Sequence, residues 1–558
     1  MKNFLPDNFE IKSWENVKPF FKALEKREIG SLDDLIEWLK DRSDLYEFLE
    51  EELAWRYINA NRFTDNEKYK EEYFRYLEDI LPEEERYENI LDKKLVKNPF
   101  FDRLPDYPYG NLKKQTLLKL KVFNEKNLPL LATMRRMEQE FADITGKLTI
   151  VHDGKELTLQ QASVYLQDRD RAVREKVYSS IAKKRKIVSE KLEELFDDLV
   201  SIRTQIAKNA GYNNYRDYKF DELGRTDYLP DDCFRFHEAV KKYVVPLVAK
   251  FYDKRKNLLG VDKLMPYDLE AELPNEVNPR PYNIVENTIF IFSQLDNEFG
   301  EYLKLMQDKG FLDLESRKNK APGGFNYPLY KTGIPFIFAN FAGTFNDLQT
   351  MVHEGGHAIH FFLTKDLDLI EFKNFPSEVA ELASMSMELL SMKYWRKYFD
   401  SEAEFLTAQK RQLEGVISVL PWIAAVDKFQ HLVYLNPEIS IEERNNLWKG
   451  VITEFVPNIL SYGEYEWYRD ILWQKQLHIF EVPFYYIEYG FAQLGAIGVW
   501  KNFSKTNAVG IEMYKKALSL GYTKSISQIF STAGAKFDFS DSYIRDLMNF
   551  VNNKIPNQ

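Results

Sequence analysis

The sequence has little cysteine and no long apolar run, and each scarcity excludes a class of protein. Its 558 residues include a single cysteine, Cys233, which cannot form an internal disulfide and fits a reducing cytosol. No uncharged apolar run approaches the roughly 18 residues that span a membrane, so no membrane span is expected. The first residues carry mixed charge and lack the apolar core of a secretory signal, so we expect a cytoplasmic protein.

Positive charge is also in deficit. The chain has 76 lysine and arginine residues against 87 aspartate and glutamate residues, a formal net charge of −11 at pH 7. No basic stripe offsets this charge, so we expect neither nucleic acid nor a membrane as a partner. Hydrophobic residues at 44% and charged residues at 29% are typical of a globular protein. The length allows two or more cores. The sequence does not indicate an oligomeric state.

Helical patterns dominate the chain, and strand patterns are few and short. Apolar residues recur at helical spacing through residues 113–146, with a break near Pro129, and two more helices are expected over 158–210. The Asp153-Gly154 pair between β-forming residues predicts a short hairpin near 147–158. Residues 334–341 read as a strand, and Pro335 near its start favours the edge of a sheet.

Histidine is rare, with 7 in the chain, yet two histidines close the segment His353-Glu354-Gly355-Gly356-His357. Histidines four apart on a helix project from one face and can reach a single ion. Glu354 points about a quarter-turn away, where it can hold a water molecule beside that ion. Zinc with two histidines, an open position and an adjacent carboxylate is typical of a metallopeptidase.

The paired glycines carry a separate indication. Glycine inside a helix costs about 1 kcal/mol relative to alanine, so Gly355 and Gly356 are tolerated for a reason. The simplest reason is the close approach of another backbone. That backbone belongs either to a neighbouring helix or to a bound substrate, and the sequence leaves both open.

A working zinc site needs a third protein ligand, and four glutamates follow the histidine segment. Glu371 is so close that little chain remains for a second helix to form and return. Glu378 and Glu381 are three residues apart, so both could face the metal from one helix. Glu388 lies farther along. Spacing alone does not choose between Glu378 and Glu381.

The segment beginning at Glu381 resembles a known family. Glu381-Leu382-Ala383-Ser384 follows His357 by 23 intervening residues and is similar to the M3 peptidases, in which the ligand glutamate opens a Glu-x-Ala/Pro-Ser segment. The resemblance continues at 211–218 and 483–489 and covers roughly residues 200–500. The chain length and the Pro-Phe-Tyr-Tyr segment resemble most the oligoendopeptidase F and Pz-peptidase branch.

The resemblance implies a fold and a ligand set. The fold is predominantly α, a large multi-helix body with a deep central channel and a small β-sheet beside the zinc site. One Zn²⁺ ion would be held by His353, His357 and Glu381. Glu388, two turns after Glu381 on the same face, resembles the family's carboxylate that orients a histidine ligand. The alternative for Glu388 is a surface glutamate.

The resemblance also implies groups that contact the substrate. The family places a histidine and tyrosines over the reacting bond, and His478, Tyr485 and Tyr489 would share one face of a helix. We predict these as catalytic donors and Tyr486 as substrate-binding. The tyrosine spacing departs from that of thimet oligopeptidase, with Val482 where a tyrosine is expected, and this leaves the donating tyrosine open.

An edge strand beside a metal site could pair with an extended peptide. We therefore predict substrate contacts from three strand residues and two loop glycines: Phe338, Ala339, Asn340, Gly323 and Gly324. The alternative for the strand is a purely structural role.

Together these features predict a cytosolic zinc oligoendopeptidase acting on short peptides. An N-terminal helical region would span residues 1–200 and a helical catalytic region 201–558. Glu354 would take a proton from the attacking water and pass it to the leaving amine. The alternatives are a peptidyl dipeptidase or carboxypeptidase on the same scaffold and, less favoured, a non-catalytic zinc or peptide-binding protein. A carboxylate at Glu354 argues against the last.

Overall fold

The computed structural model describes residues 4–6, 9–274 and 276–556. Helices make up 71% of it and strands 4%, with no closed sheet in the described part. The expected predominantly α fold with a small sheet is therefore confirmed. The deep central channel stays a prediction.

The helices and strands of the described residues are numbered in chain order. Those before residue 280 are α1 (Trp14–Lys26), α2 (Leu32–Arg62), α3 (Glu67–Arg75), α4 (Leu81–Lys97), α5 (Asp106–Val122), α6 (Leu128–Gly146), β1 (Thr149–His152), β2 (Lys155–Thr158), α7 (Leu159–Ser163), α8 (Arg171–Asn209), α9 (Tyr215–Glu222), α10 (Pro230–Ala239) and α11 (Val245–Leu259). Those after residue 280 are α12 (Ile284–Leu295), α13 (Asn297–Lys309), β3 (Leu312–Glu315), β4 (Phe325–Tyr327), β5 (Phe336–Phe341), α14 (Phe345–Thr364), α15 (Ile370–Lys373), α16 (Ser377–Ser391), α17 (Glu402–Ser418), α18 (Leu420–Leu435), α19 (Ile441–Phe455), α20 (Glu466–Arg469), α21 (Leu477–Glu481), α22 (Ile487–Phe503), α23 (Asn507–Leu518), α24 (Ile526–Thr532) and α25 (Asp541–Asn552).

The chain folds into two compact units, each built from separate stretches of sequence. Unit 1 comprises Met1–Phe123, Pro279–Phe405 and Ala492–Phe537. Unit 2 comprises Asn124–Asn278, Leu406–Phe491 and Asp538–Gln558. The contiguous division into 1–200 and 201–558 stays a prediction, and residue 200 itself lies within α8.

The N-terminal helices of unit 1 share a core with the segment that follows α14, the helix that carries His353 and His357. Buried apolar side chains from α1, α2, α4 and α5 pack with three residues from beside and within α15: Leu369, Ile370 and Phe372. A buried ion pair joins Arg42 of α2 to Asp92 of α4, with Nη2 2.7 Å from Oδ1. This packing fixes α15 and the residue before it, and α16 begins four residues after α15 ends.

The hairpin and the helix break are placed as the sequence indicates. β1 and β2 pair antiparallel around a tight turn in which Asp153 and Gly154 have φ values of 48° and 75°. Such positive values belong to the type I′ turn that Asp-Gly favours. Pro129 lies in the first turn of α6, where its missing N–H costs nothing. The break falls before this turn, and α5 and α6 are separate helices.

The expectation of an edge strand at residues 334–341 is wrong. β5 is the central strand of a three-stranded sheet with the order β3-β5-β4, parallel to β3 and antiparallel to β4. Pro335 precedes the first strand residue, so its missing N–H removes no bond from the ladder. The β4 register ends opposite Phe338, and β5 runs three residues farther, to Phe341.

One stretch, Glu402–Leu435, is long and apolar enough to cross a membrane by length and composition. It consists of α17 and α18, and 72% of its most apolar window is buried inside the protein. Core helices of globular proteins pass the same test, so this stretch is weak evidence for a membrane span.

Candidate metal centre

Helix α14 presents both histidines of the sequence motif. It begins with a capping box, in which Asp347 Oδ2 accepts the backbone N–H groups of Thr344 and Ala342, each at 2.8 Å. These bonds satisfy donors that a helix start leaves free. His353 and His357 follow one turn apart with ring centroids separated by 4.9 Å. Their side chains stay 23% and 20% exposed, so the face they share is open to solvent.

A glycine allows helix α16 to lie directly against α14. A Cβ atom on Gly356 would stand 2.7 Å from Ser384 Cα and 3.0 Å from Ala383 O, both in the backbone of α16. On the other side of α14, a Cβ on Gly355 would stand 2.9 Å from the Phe292 ring. Of the two readings of the paired glycines, close packing of neighbouring elements is the one found. Tyr514 holds the contact by donating its hydroxyl to Ala383 O at 2.8 Å.

The close contact brings Glu381 to the two histidines. Glu381 Oε2 lies 3.3 Å from His353 Nε2 and 3.7 Å from His357 Nε2, and the three residues offer ligand atoms within 4.8 Å of one another. Four-coordinate zinc with bonds of about 2.0–2.2 Å separates neighbouring nitrogen and oxygen donors by about 3.3–3.6 Å. The donor set and its spacing therefore fit one such ion.

Two alternative glutamates lie elsewhere. Glu371 is beside Arg42, with Oε1 3.8 Å from Nε, and burial raises the pKa of its carboxyl. Glu378 is buried on α16, one turn before Glu381, and is not in the group of ligand residues formed by His353, His357 and Glu381. The geometry thus favours Glu381 over Glu378, which the sequence spacing left equal to it.

Glu388 contacts the first histidine on the side away from Glu381. Its Oε1 lies 2.7 Å from His353 Nδ1, so it is not a surface glutamate turned to solvent. A carboxylate on Nδ1 keeps the proton there and leaves Nε2 free to bind an ion. Ser384 similarly supports Glu381 by donating its hydroxyl to Oε2 at 2.8 Å. Orientation of His353 is the role that we propose for Glu388.

Replacing Glu388 by alanine is expected to weaken metal affinity about 10–100-fold, because the imidazole loses the partner that sets its tautomer and orientation. Glu388→Gln, which keeps an acceptor, should lose less. Competition with a chelator of known affinity measures the change. Glu301→Ala, at an exposed position of α13, is the matched control. Equal affinities for Glu388→Ala and the control would remove Glu388 from the site.

Glu354 is a buried carboxylate beside the ligands. It is 8% exposed, and its Oε2 has no hydrogen-bond partner in the described structure. Burial raises the pKa of its carboxyl to about 7. Asn326 of β4 donates its side-chain amide to Glu354 O at 3.3 Å, which places the small sheet against the metal helix as expected. A carboxyl poised near neutral pH is suited to accept and return a proton.

The ligands compete for protons before any ion binds. Burial opposes charge on His353, but hydrogen bonds to Glu381 and Glu388 raise the pKa of this imidazole well above its ordinary value. Burial lowers the pKa of His357 to about 4. Despite burial, the hydrogen bond from His353 and the electrostatic interaction with His357 lower the pKa of Glu381 to about 2. A cation must displace the proton on His353, so metal affinity rises with pH.

The predicted catalytic donors lie together in unit 2. The His478 ring lies 4.7 Å from the Tyr486 ring, 5.9 Å from Tyr485 and 5.8 Å from Tyr489, by centroids. Burial raises the pKa of Tyr486 to about 12, which keeps its hydroxyl protonated as a donor. Gln476 Nε2 is 2.7 Å from His478 Nδ1. The residues are thus adjacent, and their catalytic role remains a proposal.

The expectation that one helix carries these residues is wrong. α21 ends at Glu481 and α22 begins at Ile487, because Pro483 cannot continue a helix hydrogen-bond ladder and Phe484 has a φ of 64°. Arg225 stabilises this turn by donating to Phe484 O at 2.5 Å. Nothing in the local sequence indicates Arg225, which is more than 250 residues away.

The strand residues predicted to bind substrate have structural contacts of their own. Phe338 is 1% exposed and stacks on Phe325 at 4.7 Å, and Lys320 donates to Ala339 O at 2.5 Å. Asn340 donates its side-chain amide to the carbonyl of Gly323 at 3.0 Å, which ties the glycine loop to the strand. A Cβ atom on Gly324 would lie 3.4 Å from Phe338 O and 3.5 Å from Thr350 Cγ2. Substrate contact at these five positions stays a prediction.

The comparisons with known proteins agree with this geometry. The family model described as "Peptidase family M3" matches residues 164–549, and the model of the "Peptidase M3 N-terminal domain" matches residues 4–123. The chain is 23% identical to oligopeptidase PepF of Bacillus subtilis over 52% of its own length and 44% of that protein. It is 22% identical to the plasmid oligoendopeptidase F of Lactococcus lactis subsp. cremoris over 69% of its length and 64% of that protein.

A solved structure agrees over a larger part of the chain. Pz peptidase A, determined with an inhibitor, superposes with a TM-score of 0.91 at 27% identity and covers 99% of both chains. The matched segments nevertheless span only about half to two thirds of the first curated relatives, 44% and 64%. The histidine pair, the adjoining glutamate and the match of the family model over most of the sequence together lead to one assignment: the chain belongs to peptidase family M3, in the oligoendopeptidase F branch.

Proposed function

We propose that this protein is a zinc-dependent oligoendopeptidase that hydrolyses internal bonds of short peptides. The observation that carries the proposal is the meeting of His353, His357 and Glu381 beside the buried carboxylate of Glu354. The family implies a metal cofactor, and two imidazole nitrogens with one carboxylate oxygen favour zinc among the common divalent ions.

The ion supplies Lewis acidity toward the scissile carbonyl and the attacking water when it is bound. The protein residues supply the proton transfers. Glu354 accepts a proton from the attacking water at its unpartnered Oε2 and then donates it to the leaving amine. Its raised pKa suits both steps, because the carboxylate is a stronger base and the acid form is populated near neutral pH.

His478, Tyr485 and Tyr489 are our candidates for stabilising the oxyanion that forms on the carbonyl oxygen when water attacks the carbonyl carbon. Support comes from their clustering, since neutral donors that point at a developing charge lower the barrier. Tyr486, together with the backbone of residues 338–340 and the glycine loop, is proposed to hold an extended peptide. A lone buried cysteine is consistent with a cytoplasmic location.

The main alternative is an exopeptidase on the same scaffold, a peptidyl dipeptidase or carboxypeptidase. The names of the curated relatives, oligoendopeptidase F among them, favour internal cleavage. A non-catalytic zinc or peptide-binding protein is less favoured, since it has no use for an unpartnered buried carboxylate beside the ligands.

Cleavage-site mapping separates these functions. Peptides blocked at both ends should be cut internally, activity should vanish with a chelator, and added Zn²⁺ should restore it. Mass spectrometry of a mixed library of blocked and free peptides gives the positions of cleavage. Cuts confined to the second bond from a free carboxyl end would instead assign a peptidyl dipeptidase. The absence of cleavage by zinc-loaded protein would leave only the binding protein.

A further inference from the structure

Unit 2 contains a second cluster of metal-ligating side chains, which the proposed function does not use. Cys233 and His237 are four apart on α10, and Asp427 and His431 are four apart on α18. Each pair therefore projects from one face of its helix. All four residues are at most 1% exposed. Two packed helices thus direct a thiol, two imidazoles and a carboxylate into one buried space.

The distances place three of these groups around a common centre, with His237 beside them. Asp427 Oδ2 lies 2.9 Å from His237 Nε2 and 3.2 Å from His431 Nε2. Cys233, Asp427 and His431 offer ligand atoms that all lie within 4.8 Å of one another. Donors in a tetrahedral zinc site are separated by about 3.3–3.7 Å. Since His237 is not in that set of three and contacts it through Asp427, its ring must move before all four residues can bind one ion.

Hydrogen bonding within the described residues does not satisfy these buried groups. Within the described residues, Asp427 Oδ1, His237 Nδ1 and His431 Nδ1 have no hydrogen-bond partner. The surrounding walls are aromatic, since the rings of Phe234 and Phe484 lie 4.8 Å and 5.2 Å from the His431 ring. Unsatisfied polar atoms in an apolar site are costly, and such groups occur in native proteins when an ion or water binds them.

The charge of the cluster points to a cation. Asp427 is the carboxylate of the cluster, and its Oδ2 contacts both imidazoles. A divalent ion bound by one thiolate, one carboxylate and two neutral imidazoles gives a net charge of zero, the arrangement a buried site tolerates best.

We propose that Cys233, His237, Asp427 and His431 bind a second, structural Zn²⁺ ion. Sulfur and nitrogen donors with one carboxylate favour zinc, and four protein ligands leave no open position for a substrate. Binding releases the thiol proton of Cys233 to solvent, so the step is a proton–metal exchange without oxidation. The ion fastens α10 to α18 within unit 2.

The second site also supports the predicted catalytic tyrosines. Gln430, between Asp427 and His431 on α18, accepts the backbone N–H of Phe484 at 2.8 Å, and the Phe484 ring packs on His431. Phe484 precedes Tyr485 in the turn between α21 and α22. Loss of the ion should therefore loosen this turn as well as the helix pair.

Elemental analysis of the full-length protein tests the proposal. Protein purified with Zn²⁺ and dialysed should contain two zinc ions per chain. His353→Ala should retain one, Cys233→Ser should retain one, and the double variant should retain none. His152→Gln changes a buried histidine of the same unit outside the cluster and should keep two. One ion in the wild type together with none in His353→Ala would overturn the proposal.

Replacing zinc by cobalt gives a measurement on the wild-type protein, which does not depend on whether a variant folds. Co²⁺ bound by Cys233 should show a thiolate-to-metal charge-transfer band, which the nitrogen and oxygen donors of the first centre cannot produce. That band should persist in His353→Ala and be absent in Cys233→Ser. A cobalt-loaded wild type without the band would show that the cluster holds only a shared proton between histidine and aspartate. Failure of peptide cleavage leaves these outcomes unchanged, so the two proposals are tested separately.

Discussion

Glu354→Gln is expected to lower kcat/KM about 10²–10⁴-fold, the range that general acid–base catalysis contributes, while zinc content stays unchanged. The amide has nearly the shape of the carboxylate, but it cannot accept the proton of the attacking water. Hydrolysis of an end-blocked peptide and elemental analysis measure the two quantities. Turnover equal to that of the wild type would exclude Glu354 as the base.

The stability of this variant adds a second signature. Folding raises the pKa of Glu354 from its ordinary 4.5 to about 7. Protonation of Glu354 therefore contributes fully to the free energy of unfolding below pH 4.5, and this contribution is lost as the pH rises through about 7. Metal-free Glu354→Gln lacks this titration, so its free energy of unfolding should equal or exceed that of the metal-free wild type at pH 7. Denaturant unfolding at pH 4.5 and pH 7 gives the comparison. A variant that is inactive and clearly less stable would indicate a structural role instead.

Gly356→Ala is expected to lower the free energy of unfolding by about 1–3 kcal/mol, because its Cβ would overlap the backbone of α16 at Ser384. Since α16 carries Glu381, the helix cannot move away without moving a ligand. Displacement of about 1 Å can reduce activity about 10²-fold, so kcat/KM should fall far more than stability alone explains. Chelator competition should show weakened zinc binding.

Gly415→Ala is the matched control for that substitution. Gly415 is a helical glycine of α17 with no atom within 4 Å of the position of an added Cβ. Alanine there should stabilise the protein by about 0.4–1 kcal/mol and leave activity unchanged. If Gly356→Ala behaved like Gly415→Ala, the contact between α14 and α16 would not be what positions Glu381.

Local sequence was sufficient for the features that depend on helical periodicity. The i, i+4 spacing of His353 and His357 directs both to one face, and the Asp153-Gly154 pair specifies its own turn. For the third ligand, spacing narrowed the choice only to Glu378 and Glu381, and the resemblance to the M3 peptidases selected Glu381. Glu381 reaches the histidines because Gly356 lets α14 pack against α16 at Ser384, and helical periodicity cannot reveal such a tertiary contact.

Features that depend on distant partners were mispredicted or missed. Pro335 indicated an edge strand, but β4 pairs on the far side of β5, and no local signal reports a neighbour. The segment from His478 to Tyr489 looked helical by spacing, yet a left-handed residue held by Arg225 divides it. The cluster of Cys233, His237, Asp427 and His431 was also missed, because its two pairs are separated by about 190 residues. Two i, i+4 pairs of ligand types were the only available signal.

The contact between α14 and α16 at Gly356 limits the size of ion that His353, His357 and Glu381 can bind. Main-chain atoms of α14 and α16 lie so close at Gly356 that the two helices cannot approach further to bring Glu381 nearer to the imidazoles. No comparable barrier stops the helices from separating slightly. The centre should therefore discriminate against ionic radii smaller than that of zinc more strongly than against larger ones, and this limit is set by backbone contact, not by side-chain rotamers.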